Sequence, residues 1–183
     1  EEADCQLCGT GTYSTQQGQT SAATCVGCGA GKYSSGQGES AESACTRCVA
    51  GKYSSQVGAV SVDTCKDCAK GFFSSQAGAS VCAACEEGKF ADGVGSDACT
   101  VCGAGKYLSS TGADSETDCV LCEAGKYSST EGATSQEACL DCPSGSTSDG
   151  LGCNACVAGT YIPSQESDCL RCPAGKYSSQ VGA

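Results

Sequence analysis

Met, Trp and His do not occur in the 183 residues, and the chain has three Pro and one Asn, Asn154. Without imidazole there is no side chain that titrates near neutral pH for acid–base work. Leu, Ile, Val and Phe together number only 21. That stock is too small for a conventional hydrophobic core, because ordering the backbone costs more than so little apolar burial returns. Lys and Arg total 10 against 21 Asp and Glu, a formal charge of -11, so no basic face exists for a phosphate backbone and nucleic acid is not an expected partner. No run approaches the ~20 apolar residues of a membrane span. The start, Glu1-Glu2-Ala3-Asp4, has none of the charge and apolar order of a signal peptide, so a secretion signal is expected outside this segment.

What is abundant is glycine, at 26 residues, and cysteine, at 20. Cysteine at that density marks a secreted scaffold in which covalent links replace the core. All 20 cysteines fall into ten Cys-x-x-Cys pairs, beginning at Cys5, Cys25, Cys45, Cys65, Cys82, Cys99, Cys119, Cys139, Cys153 and Cys169. Successive starts lie 20, 20, 20, 17, 17, 20, 20, 14 and 16 residues apart. The chain is therefore an internal repeat, and a unit this short cannot fold without staples.

Glycine stands at the third position after every pair: Gly11, Gly31, Gly51, Gly71, Gly88, Gly105, Gly125, Gly145, Gly159 and Gly175. A turn with positive φ or a close backbone approach would require it. The fifth position is aromatic in nine of ten copies, Tyr13, Tyr33, Tyr53, Phe73, Phe90, Tyr107, Tyr127, Tyr161 and Tyr177, with Thr147 the exception. The ring is expected to cover the neighbouring disulfide and give each unit a small apolar centre, with the tyrosine hydroxyl still reaching water. An aromatic ladder that binds ligand is the sharper alternative. Beyond the ring, all length variation falls in a Ser-, Gly- and Ala-rich stretch that reads as a surface loop, and no segment has helical periodicity.

The period leaves three regular pairing schemes open: closure within each Cys-x-x-Cys, second cysteine to the next first, or first cysteine to the next second. Four-cysteine zinc sites fit the spacing of neighbouring pairs. An unbroken series with glycine and a ring in every gap argues against them, as thiolate ligands also favour a reducing compartment. A redox Cys-x-x-Cys needs one motif at a helix start, which ten copies in Gly-rich turns do not supply. Glu86 and Glu87 are adjacent carboxylates without a patterned partner, so hydrolase chemistry has no support. No catalytic residue, metal or cofactor is assigned, and no enzyme activity is expected.

Cys28-Gly-Ala-Gly-Lys-Tyr-Ser-Ser, followed by Gly38 and Cys45-Thr-Arg-Cys48, resembles the ephrin-receptor-like cysteine-rich repeats, themselves similar to the first loop of tumour necrosis factor receptor modules. The resemblance extends over essentially the whole chain. It implies the second scheme: Cys8–Cys25, Cys28–Cys45, Cys48–Cys65, Cys68–Cys82, Cys85–Cys99, Cys102–Cys119, Cys122–Cys139, Cys142–Cys153 and Cys156–Cys169, with Cys5 and Cys172 unpaired within 1–183. Each Gly-x-aromatic element then lies inside a closed loop. The extra interlaced cysteines of a full receptor module are absent, so its ligand-binding role does not carry over. Bare arrays of this kind look like those in large surface proteins of algae and protists, which implies an extracellular scaffold.

The expected fold is one of small disulfide-rich repeats, an elongated solenoid-like rod of short strands and turns with little or no helix and no large hydrophobic core. Residues 1–183 read as one continuous array of about nine complete modules of ~14–20 residues with partial modules at both ends, and no separate domains. Lys32, Lys52, Lys89, Lys106, Lys126 and Lys176 share one offset and are candidates to meet the acidic loops of the next module or another chain. Gly51 to Ala59 and Gly175 to Ala183 are the same nine residues. Near-interchangeable units suit periodic construction, so the expected function is a structural stalk or protofilament at the cell surface or outside the cell, with self-association. A ligand-binding or adhesive ectodomain is the alternative. Glycans are a possible modification, on Ser34, Ser35, Ser54, Ser55, Ser128 and Ser129; Asn154-Ala155-Cys156 is not an acceptor.

Overall fold

A computed structural model describes residues 5–163 and 168–182. Nine disulfides link each second cysteine to the next first, from Cys8–Cys25 to Cys156–Cys169, with Cα–Cα distances of 5.6–5.8 Å. We number the loops they close 1 to 9, in chain order, and the open segment after Cys172 loop 10. The fold is one of small disulfide-rich repeats built from short antiparallel strand pairs, and the described residues contain no α-helix.

Every closed loop makes the same two-stranded hairpin. The residue before the ring and the ring itself pair with the two residues inside the next Cys-x-x-Cys, as Lys52–Tyr53 with Lys66–Asp67 and Lys106–Tyr107 with Val120–Leu121. The disulfide holds the two strands in register, which a two-residue ladder could not do alone. Loop 8, which has Thr147 where the others have a ring, forms three-residue strands instead, Ser146–Ser148 with Cys153–Ala155. Five loops also contain a single turn of 3-10 helix before the closing cysteine, as Val62–Thr64, where Ser61 accepts from the Asp63 amide. Serine at that place satisfies one of the turn's free amides.

The chain divides into two compact units, one formed by Glu1–Cys85 with Ala91–Cys99, the other by Glu86–Phe90 with Thr100–Ala183. In the first, the buried positions are cysteines 28, 45, 48, 65, 68 and 85, with Ala59, Ala91 and the serines that follow the ring, Ser34, Ser54 and Ser74. In the second, Phe90, Cys102, Leu108, Ala113 and Cys119 form a small cluster. The rings differ in how far they are covered. Phe90 alone is buried, the others are half-buried up to Tyr161, and Tyr177 is 89% exposed. Sulfur, alanine and the position after the ring supply most of the buried side chains.

Of the 21 Leu, Ile, Val and Phe side chains, 17 are exposed. The hydrophobic effect therefore contributes little to holding the loops together, and covalent bridges and backbone hydrogen bonds carry that role.

Candidate functional site

The feature that recurs is a backbone interlock between loops. In the first unit the amide of Gly31 donates to the Ser54 carbonyl at 2.7 Å, and the amide of Ser34 to the Ala59 carbonyl at 3.0 Å. In return, the amide of Gly58 donates to the Cys28 carbonyl at 2.7 Å. The same three bonds link loops 1 and 2 (Gly11 to Ser34, Ser14 to Glu39, Gly38 to Cys8) and loops 3 and 4 (Gly51 to Ser74, Ser54 to Ala79, Gly78 to Cys48). In the second unit Gly105 donates to Ser128, Leu108 to Ala133 and Gly132 to Cys102. Backbone groups supply every one of these contacts, so the side chains between them are free to differ.

The interlock reaches past the neighbouring loop. Gly51 has φ +79°, and a Cβ there would collide with the carbonyl of Gly95, two loops on. Gly11 stands in the same way against Gly58, and Gly88 against Gly132. At Gly125, Gly159 and Gly175 only the positive φ applies, whereas at Gly11, Gly51 and Gly88 glycine is required for both reasons raised by its spacing, positive φ and close approach. Its partner is a second glycine in the distal stretch, at Gly58, Gly95 and Gly132, also with positive φ. Sequence reading missed this second series, whose register is broken in loops 8 and 9. The signal was available, since glycine follows the ring by five residues in loops 1 to 7, as in Tyr53 to Gly58 and Phe90 to Gly95.

The serines after the ring have a definite place. Ser34, Ser54 and Ser128 are at most 4% exposed, and each hydroxyl accepts from the amide two residues on. Burial without such a partner would cost the desolvation of a hydroxyl. These three are closed to glycosylation in the folded chain, whereas Ser35, Ser55 and Ser129 are exposed.

The lysines meet carboxylates of their own module and not those of the next. Lys52 reaches Asp67 at 2.6 Å and Lys126 reaches Asp141 at 2.5 Å, each directly across its hairpin. Where that cross-strand position is Arg47 or Leu121, the lysine turns to the 3-10 segment instead: Lys32 to Glu42 at 2.6 Å, Lys106 to Glu116 at 2.8 Å. Hydrogen bonds from these ammonium groups hold Glu42 and Glu116 below the usual carboxylate range, and Asp141 raises Lys126. In loop 8 the amides of Gly152 and Leu151 lower Asp149 in the same sense.

Among the described residues no group of three or more His, Cys, Asp or Glu side chains is placed to hold a metal. Glu86 pairs with Lys89 at 3.2 Å. A cavity of about 620 Å³ opens in loop 1, lined in part by Ser14, Gln16, Gln19, Thr20 and Ser21. Those amides and hydroxyls offer hydrogen bonds but no acid–base pair. Cys5 is free and exposed, and Cys172 free and half-buried. No described helix is long and apolar enough to cross a membrane.

Comparison with known proteins agrees with this geometry. No curated protein matches the chain. Residues 71–119 match the family model described as tyrosine-protein kinase ephrin type A/B receptor-like, a segment that takes in the bridges Cys85–Cys99 and Cys102–Cys119. The match lies on the cysteine-rich repeats, a non-catalytic receptor-like module, and together with nine disulfides it points to an extracellular or surface setting. Residues 71–119 are thus similar to the ephrin receptor-like family, and they are set in a chain that is a cysteine-rich repeat array.

Proposed function

We propose that the chain is a non-enzymatic structural protein of the cell surface or extracellular space, one continuous array that serves as a stalk or as the protofilament of a fibre. The observation that carries this reading is the interlock: the same amides bond the same carbonyls from loop to loop within each unit, at most two loops ahead. Units that contact near neighbours through backbone alone can be added without limit, as solenoids are. Imaging of the native assembly tests it, with a periodic thread or stalk expected; a compact globular particle refutes it. The bridges are part of the reading, and peptide mapping without reduction should recover Cys28 joined to Cys45. Recovery of Cys25 joined to Cys48 would overturn them.

A second reading, a ligand-binding or adhesive ectodomain, is favoured by the receptor-like match over 71–119 and by the exposed apolar side chains. A saturable protein or glycan partner mapped to one module would decide for it. O-linked sugars, if carried, belong on Ser35, Ser55 or Ser129, and an intact mass equal to the peptide mass would remove them.

A further inference from the structure

The loops are alike in backbone but not in charge. Loop 3, its flanking cysteine pairs and the first residues of loop 4 carry Arg47, Lys66 and Lys70, all exposed and without an ion pair among the described residues. The same segment exposes Val57, Val60 and Val62. Its acids are fewer: Asp67 is bound to Lys52, and Asp63 sits in the 3-10 turn against Ser61. In a chain of formal charge -11, the stretch from Cys45 to Lys70 is locally cationic and apolar, its unpaired cations flanking the loop that the Cys48–Cys65 bridge closes.

Loops 6 and 7 in the other unit have the opposite character. Their lysines, Lys106 and Lys126, are consumed by Glu116 and Asp141. Glu123, Glu131 and Glu137 remain exposed without an ion pair among the described residues, beside exposed Val120, Leu121 and Leu140. Two apolar surfaces of opposite charge complement one another, and charge of this kind selects a partner and its register more than it adds affinity.

We propose that loop 3 of one copy, together with the cations that flank it, docks on loops 6 and 7 of a second copy of this chain. The contact uses different surfaces on the two partners, so it is heterologous and builds open chains of copies unless the rotation closes a ring. It rests on the scaffold reading above and names that scaffold's partner as itself.

Charge reversal tests the contact. Sedimentation of the full chain should show concentration-dependent association that weakens about tenfold between about 50 and about 500 mM salt. Lys66→Glu with Lys70→Glu should leave a monomer, as should Glu123→Lys with Glu131→Lys. Mixing the two variants should restore association, because each then meets its complement on the other. Unchanged circular dichroism and an intact mass showing nine bridges establish that both variants fold. The proposal is overturned if the native chain stays monomeric, if either variant associates as the native chain does, or if the mixture fails to restore it. A periodic native assembly with no response to the swap removes this contact and leaves the scaffold reading standing; a globular native particle removes the scaffold reading itself.

Discussion

Gly51 to Ala59 and Gly175 to Ala183 have the same nine residues, Gly-Lys-Tyr-Ser-Ser-Gln-Val-Gly-Ala, in different surroundings. In loop 3, Gly51 is buried, Lys52–Tyr53 is a strand, Tyr53 is half-buried and Ser54 is 3% exposed. In loop 10, Gly175 and Lys176 are exposed and unpaired in any strand, Tyr177 is 89% exposed, and Ser178 is half-buried; Ala183 lies outside the described residues. Other features are the same in both. Val57 and Val181 are about equally exposed, and Gly58 and Gly182 have φ of 70° and 78°. Gly182 donates to the Cys156 carbonyl as Gly58 does to Cys28, and Ser178 accepts from Gly159 as Ser54 does from Gly31. Contacts to preceding loops thus form from the nine residues alone. Strand and covered ring are supplied by the cysteine pair and loops that follow. Local sequence sets half of a module, and the other half is conferred on it.

The most severe way to break this contrast is to make loop 3 resemble loop 10. Replacing Cys48 and Cys65 by Ser should cost on the order of 3 kcal/mol, raise the solvent exposure of Tyr53, and speed hydrogen exchange at the Gly31 and Ser34 amides, which donate into that loop. Unchanged exchange at those two amides would sink the idea that loops confer structure on one another. The reverse change is to append Val60 to Cys68 after Ala183, giving Cys172 a partner. It should gain a bridge of similar size, pair Lys176–Tyr177 as a strand, and cover the Tyr177 ring, read by tyrosine accessibility to iodination.

A smaller effect separates the two glycines. Gly51→Ala and Gly175→Ala both place a side chain at positive φ, φ +79° and +82°, at about 1–2 kcal/mol. Only Gly51→Ala also drives a Cβ into the Gly95 carbonyl, so its midpoint in denaturant should fall clearly further. Equal shifts would refute the close approach. Smallest is the ion pair: Lys52→Ala, which frees Asp67, should cost under about 1 kcal/mol and less in high salt. Lys176→Ala should change nothing.

Stability should follow the same pairs with pH. Glu42, Glu116 and Asp149 are depressed below their ordinary values, so their contribution is present above the unfolded carboxylate range and lost as pH falls through their folded values. Lys126 is raised, so its share is present below its unfolded value and lost as pH climbs through the folded one. All four groups lie at the surface, so thermal midpoints should move by only a few degrees at either extreme.

Much of the architecture was legible in the sequence because cysteine is a covalent marker that does not depend on context. Ten regular pairs with Gly-x-aromatic between them are enough to expect short strands, turns and bridges without a core. The ring's exposure was not legible, since one repeated motif gives a buried Phe90 and a Tyr177 that is 89% exposed. Burial went to Ala59, Leu108 and the serines because two backbones meet there. The lysines' partners were hidden too: each choice depends on a cross-strand residue, Asp67 or Arg47, whose register is set only once the hairpin forms.

The approach of Gly11 to Gly58 has a consequence for biosynthesis. During synthesis a loop such as Cys8–Cys25 can close its own bridge early but gains its backbone contact only once the loop two further on has appeared, so the newest loops of a growing array lack the cover that later ones supply.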